Sequence, residues 1–290
     1  MEKSSKKGQK SGVILSVATI LVCVLLLVYG LFSPQLLTDK TQNFWLNAII
    51  QQTLGIIAVI LLMLRLNVRL FAKPQKLWVL LPCLLVAVDN FQFYSYFSGN
   101  MRFVRGAFWD IALYTLYNLT TGVFEEGVFR GIIFALLASR FGENKKGLIK
   151  TFVLSSVIFA LSHLFNLVQG ADVGATLLQV GYTLLTGGLF AFIVIQTHNV
   201  LLAGLIHGIY NACGQLMDNR VGLGTGVVFD AGTAVIMAIV GVSAAVYVLY
   251  SLYKLKDSDI TLLYQKLGVS SKNPKQTSQT SQNNATNQAK

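Results

Sequence analysis

The sequence predicts an all-α polytopic membrane protein, with about eight transmembrane helices around an intramembrane polar cavity. Three observations lead there. The 290 residues are 54% hydrophobic and only 12% charged, about half the charged share of a soluble domain. Apolar runs recur at the roughly 17–25 residues that a spanning helix requires, and mean hydropathy is +0.60. One of those runs nevertheless contains Glu125, Glu126 and Arg130. A charged group in hydrocarbon costs roughly 2.5 to 17 kcal/mol, so three together imply a hydrated or hydrogen-bonded cavity built to hold them.

The expected spans are 12–32, 44–64, 77–97, 108–139, 149–167, 175–197, 200–217 and 227–252. The first follows Lys3, Lys6, Lys7 and Lys10. Its length, and the lack of a small-residue cleavage pattern after it, favour a retained anchor over a signal peptide. The second opens on Phe44 and Trp45, suited to a membrane interface. The third is interrupted by Asp89, Asn90 and Gln92. The fourth exceeds one perpendicular crossing and must tilt, protrude or kink, with Gly122 and Gly127 beside the glutamates as natural places. A hairpin at Gly122 is the rival arrangement.

Basic residues set the orientation. Arg65, Arg69, Lys73 and Lys76 lie after the second span, Arg140, Lys145, Lys146 and Lys150 after the fourth, and Lys254 and Lys256 after the last. The opposite loops carry only Lys40, Arg102, Arg105 and Arg220. The positive-inside rule therefore puts both termini in the cytoplasm, in a multi-pass protein of the cell membrane. It disfavours the hairpin, which would export the Arg140–Lys150 group. The net charge of +11 reports this topology, and nucleic acid is not an expected partner. Cys23, Cys83 and Cys213 stand singly in or beside apolar segments and read as free thiols acting as small hydrophobes.

The organisation that follows has three parts. Residues 1–107 hold the N-terminal cytoplasmic segment and three spans, 108–253 a catalytic transmembrane core, and 254–290 a cytoplasmic, largely disordered tail. From Ser270 onward the composition is mainly Ser, Gln, Asn, Thr and Lys, too polar to bury a core.

Further polar residues interrupt later spans. His163 closes Phe159-Ala-Leu-Ser-His163, and His207 and Asn211 fall in Leu205-Ile-His207-Gly-Ile-Tyr-Asn211. A spacing of four puts Glu126 with Arg130, Phe159 with His163, and His207 with Asn211 on common helix faces. At 1.5 Å per residue, Glu125, His163, His207 and Asn211 stand about 22, 20, 12 and 18 Å above the cytoplasmic ends of their helices. Three helices thus bring unusual residues to overlapping heights, in a cavity expected to open toward the cytoplasmic half of the bilayer.

These residue types suit hydrolysis. A desolvated glutamate and a histidine can jointly hold and deprotonate a water. His207 and Asn211 can donate to the oxyanion that forms as a peptide carbonyl becomes tetrahedral. Arg130 is placed to pair with Glu126. Periodicity does not separate Glu125 from Glu126 for the water, since adjacent residues point only about 100° apart. Glu125, His163 and His207 are also a possible zinc set with water as fourth ligand, although no His-Glu-x-x-His is present.

The three motifs, Glu125-Glu126-x-x-x-Arg130, Phe159-x-x-x-His163 and His207-x-x-x-Asn211, resemble the signatures of the CPBP intramembrane endopeptidases, also called the Abi or CAAX prenyl protease 2 family. The likeness covers roughly residues 108–217 in matching order. It implies a catalytic set of Glu125, His163, His207 and Asn211, with Glu126 and Arg130 supporting. It also favours a metal-free glutamate mechanism without cofactor, zinc being the alternative. The implied activity is endoproteolysis of membrane-associated proteins or peptides. Relatives act on prenylated CaaX proteins, whereas a compact bacterial-looking chain points toward pheromone processing, bacteriocin maturation or immunity, or membrane-protein turnover. A non-catalytic immunity or peptide-sequestering factor is the alternative function.

Overall fold

The computed structural model describes residues 2–71, 73–103, 108–216, 224–226 and 230–269. The expected disordered stretch from Ser270 lies outside them.

Polar caps show how the helices alternate. α2 (Lys40–Arg65), α9 (Val173–Thr197) and α11 (Ala231–Tyr253) each begin after an aspartate, and Asp39, Asp172 and Asp230 accept from the amides of Gln42, Ala175 and Thr233. α7 (Lys145–Ser162) and α10 (Val200–Gln215) begin after Asn144 and Asn199, which accept from Gly147 and Leu202. Each cap satisfies an amide that the first helical turn leaves without a partner.

The basic connections gather at one end of the molecule. Leu70 accepts from the Val200 amide and Thr197 from the Gln75 amide, so the 66–76 loop closes over the α9–α10 turn. α12 (Asp257–Lys266) joins them: Lys266 accepts from the Arg69 amide and Asp259 pairs with Lys76 at 3.2 Å. The aspartate-capped starts of α2, α9 and α11 lie at the other end.

Five helical stretches among the described residues are long and apolar enough to cross a membrane: Ile14–Phe32, Lys40–Arg65, Lys145–Val168, Val173–Thr197 and Ala231–Tyr253. The first belongs to α1 (Glu2–Phe32). The protein is thus all-α and multi-spanning, but the count of eight does not follow from helix length and composition. The third expected span is broken: α3 (Leu80–Asp89) stops, Gln92 takes a left-handed φ of 63°, and α4 (Phe93–Phe97) is a separate short helix. The Asn90 amide donates to the Tyr210 carbonyl at 2.8 Å, holding the break against α10. α10 itself has only 16 residues.

The fourth expected span runs unbroken through α5 (Phe108–Glu126), a π-helical turn over Gly127–Ile133, and α6 (Phe134–Phe141). There is no hairpin at Gly122. The extra length is accommodated in a continuous column with a π turn directly after the glutamates. The fifth expected span lies within the apolar stretch Lys145–Val168, which is built from α7 and the short α8 (Phe165–Val168). A small antiparallel ribbon pairs β1 (Met101–Phe103) with β2 (Gly224–Gly226).

The second half of α9 is surrounded by protein. Every residue from Thr186 to Thr197 is buried, as expected of a helix that is apolar on all sides. α12 gives the 254–290 segment a helical start, ahead of the stretch from Ser270. Leu263, Tyr264 and Leu267 are buried in the same core as α9, because that helix carries an apolar face that the basic-end loops leave room to cover.

His198 ends α9 with a left-handed φ of 55° and is 3% exposed. Burial, then the Lys76 and Lys266 charges, depress its pKa from 6.5 to about 4, with Asp259 opposing them. The unfolded chain therefore binds the extra proton between these values. Stability should be complete above pH 6.5 and fall by on the order of 3 kcal/mol as pH approaches 4. His198→Asn, which tolerates the left-handed backbone, should flatten that slope in detergent thermal unfolding.

Candidate active site

Three glycines bring α5 and α10 into backbone contact. A Cβ on Gly122 would lie 2.5 Å from the Gly208 nitrogen, one on Gly204 2.6 Å from Val123 Cα, and one on Gly208 2.7 Å from Leu119 Cα. Gly204-x-x-x-Gly208 has the small-residue spacing by which membrane helices approach most closely. Glu126 follows Gly122 by one turn and His207 adjoins Gly208, so this crossing carries their side chains into reach. Gly122→Ala and Gly208→Ala should each destabilise by about 1–3 kcal/mol, the usual cost of overpacking. Unchanged unfolding temperatures in both variants would rule out the crossing as the organiser of the site.

α2 supports the other side of the column. A Cβ on Gly55 would meet the Phe124 ring at 2.5 Å, and Cβ atoms on Gly127 and Gly131 would each lie 2.9 Å from Val59 and Met63. The π turn therefore sits against a glycine-relieved, closely packed face. Such turns are frequent at functional sites.

A polar chain crosses the centre. Arg130 Nη1 donates to Glu126 Oε1 at 2.9 Å, and Nη2 donates to the Gly187 carbonyl at 2.7 Å. Both charged side chains are 0% exposed. The guanidinium lies 4.4 Å from the Phe159 ring centroid. His207 Nδ1 is 2.9 Å from the same Glu126 oxygen. A carboxylate that already accepts from Arg130 also accepts here, so Nδ1 bears the hydrogen. His207 Nε2 then faces Glu125 Oε2 at 3.7 Å. Phe190 stacks on the imidazole at 4.4 Å and 18°, and Phe159 meets its edge at 5.6 Å.

His163 is joined to this group through Phe159, whose ring lies 5.1 Å from its own. Its Nδ1 is 3.0 Å from the Phe159 carbonyl. A carbonyl only accepts, so Nδ1 carries a hydrogen and Nε2 is the nitrogen left to face the site. Asn211 stands one turn beyond His207 on α10 and is half-buried. Glu125, with a 29% exposed side chain, is far more open than Glu126.

Glu125, Glu126, Arg130 and His207 are thus in one contact network, with His207 bonded to Glu126 rather than primarily to Glu125, while His163 reaches it through the Phe159 ring and Asn211 stands one turn along α10. Sequence reasoning missed Gly187, whose carbonyl holds Arg130, and Phe190, which orients His207. The Gly187-Gly188 pair inside a long span was the available signal. A Cβ on Gly187 would approach Phe159 to 2.9 Å and Arg130 to 3.1 Å. Among the described residues, no three His, Cys, Asp or Glu side chains converge as a metal-ligand group.

A cavity of about 960 Å³ is lined by the first turns of α2, Tyr114 and Tyr117 of α5, the α8–α9 connection, the first turns of α9 and the last turn of α10, and by none of the six site residues. It opens at the aspartate-capped end, opposite the basic loops.

Residues 107–213 match the model of a family described as Rce1-like, type II CAAX prenyl endopeptidase Rce1-like. No curated protein and no solved structure matches the chain. The matched segment is about a third of the chain and contains Glu125, Glu126, Arg130, His163, His207 and Asn211. Over that segment the protein is similar to the Rce1-like CAAX endopeptidases, a family related to, but not identical with, the CPBP and Abi proteins that its motifs resemble.

Proposed function

We propose that this chain is an intramembrane endopeptidase of the CAAX-protease superfamily, hydrolysing peptide bonds of membrane-associated proteins or peptides. The observation that carries the reading is the bonded series Arg130–Glu126–His207, with the Glu125 carboxylate 3.7 Å from His207. A structural ion pair would require only Arg130 and Glu126. The open carboxylate and a second histidine add the parts needed to move a proton.

Glu125, assisted by His163 Nε2, takes a proton from water as the water oxygen attacks the scissile carbonyl. The carbonyl π electrons move to oxygen, and Asn211 donates a hydrogen bond to the resulting oxyanion. His207 contributes as a donor only when Nε2 also bears hydrogen, a state balanced by Glu126 below it. Collapse re-forms the carbonyl and breaks the C–N bond, and the proton held by Glu125 passes to the leaving amine. Arg130 and Phe190 are positioning residues: they fix Glu126 and the His207 ring.

This reading is metal-free, supported by the family resemblance and by the engagement of His207 Nδ1 with Glu126. Zinc held by Glu125, His163 and His207 is the competing chemistry, in which the ion would polarise the carbonyl and acidify water. Purified protein should cleave a pool of quenched-fluorescent, palmitoylated decapeptides with substoichiometric zinc by elemental analysis, and exhaustive chelation should leave the rate unchanged. One tightly bound zinc per chain, lost and regained together with activity, would overturn the metal-free mechanism. No cleavage by intact protein would overturn the protease assignment.

A further inference from the structure

A second cavity, of about 560 Å³, is a cleft between α7, α9 and α11, with the end of α3 and Tyr210 of α10 closing part of it. None of the six site residues lines it. It follows α11 from Ala234 to Leu249, about 22 Å at 1.5 Å per residue. Its mean cross-section is therefore about 25 Å², roughly a quarter of that of a helix 10–12 Å across. That width takes one hydrocarbon chain and excludes a transmembrane helix.

α11 turns small side chains to the cleft: Ala234, Ala238, Gly241 and Ala245. Small residues of membrane helices ordinarily serve close packing against another helix. Here a Cβ on Gly241 would meet nothing within 4 Å, so the space is free. α7, α9 and α11 all belong to membrane-spanning stretches, and the cleft opens between them onto hydrocarbon.

One part of this apolar lining is polar. Asp89, Tyr182 and Tyr210 all face the cleft. The Asn90 amide fastens the end of α3 to the Tyr210 carbonyl, and Tyr182 and Tyr210 lie within electrostatic reach of each other. The Asp89 carboxyl and the two phenol oxygens make no hydrogen bond or ion pair with any described residue. An ionisable side chain at membrane depth marks a functional site whose partner has to be named. A primary ammonium is the matching partner. It brings one positive charge for Asp89 and three N–H donors, enough for the carboxylate and both phenol oxygens. The two phenol faces add cation–π attraction.

We propose that the cleft binds a single-chain amphiphile with a primary ammonium head, its alkyl chain lying along α11 and its head held by Asp89, Tyr182 and Tyr210. The site is separate from the catalytic one: the Phe190 ring stands between Tyr210, at 6.2 Å, and His207, at 4.4 Å. Binding there does not depend on the proteolytic reading.

Native mass spectrometry of the detergent-purified full chain tests it with three probes of equal chain length: hexadecylamine, hexadecan-1-ol and palmitic acid. One hexadecylamine should bind per chain, half-saturating at least tenfold below the alcohol and the acid. Asp89→Asn keeps the side-chain shape without the charge and should abolish that preference. Gly241→Leu fills free space, so it should fold normally and lose the bound amine. Thermal unfolding checks that both variants are folded, and either variant alone decides the matter if the other is not. Equal binding of the three probes, an amine preference that survives Asp89→Asn, or undiminished amine binding in Gly241→Leu would overturn the site. Cleavage of the quenched decapeptides is measured separately, so the amphiphile site and the protease assignment can each fail alone.

Discussion

Glu125→Gln is expected to reduce peptide cleavage by about 10²–10⁴-fold, the range that a positioned general base contributes, while leaving the protein folded. The amide keeps the shape but takes no proton from water. Its side chain is 29% exposed and lies 3.7 Å from His207, so little stability depends on it. His163→Ala should lose activity comparably. His207→Ala should also lower the rate, since removal of an oxyanion donor elsewhere costs about 2.7–4 kcal/mol, and it should destabilise as well because His207 is bonded to Glu126. Steady-state cleavage together with thermal unfolding separates the cases. Normal rates in both Glu125→Gln and His163→Ala would eliminate the catalytic assignment. Biological protection that survived Glu125→Gln would then favour the sequestering alternative.

Arg130→Met should produce the largest loss of stability, about 3–5 kcal/mol, because it strands a carboxylate in a site with no water contact. Arg130 also bonds the Gly187 carbonyl and lies over Phe159, so α5, α7 and α9 lose a common anchor. Lysine should rescue only in part, since it keeps the charge but not the planar fork that reaches two acceptors. The informative comparison is the double variant E126Q/R130M. If the penalty comes from an unpaired buried charge, the double variant should unfold at a higher temperature than Arg130→Met alone. Equal or lower stability would show that the arginine acts through packing.

The two glutamates illustrate why adjacent identical residues differ. Glu126 faces the α10 crossing and is closed in by Arg130 and His207. Glu125, about 100° further round the helix, reaches the open side. Helical period made the separation inevitable, but which of the two would be enclosed depended on the position of α10.

Much was legible without tertiary structure. Hydrophobic runs and low charge sufficed for the all-α, multi-spanning class, because lipid accepts only backbones that satisfy their own hydrogen bonds. The cost of charge in hydrocarbon singled out Glu125, Glu126, Arg130, His163, His207 and Asn211, and the spacing of four assigned them to shared faces. Other features depended on contacts between segments distant in sequence. The break after Asp89 is held by the Tyr210 carbonyl, α12 folds because core surface is there to receive it, and Gly187 and Phe190 gain their roles from Arg130 and His207. The bond from His207 to Glu126 required the glycine crossing of α5 and α10. Periodicity determines which residues share a face of one helix; only packing determines which face of another helix it meets, and how close the backbones come.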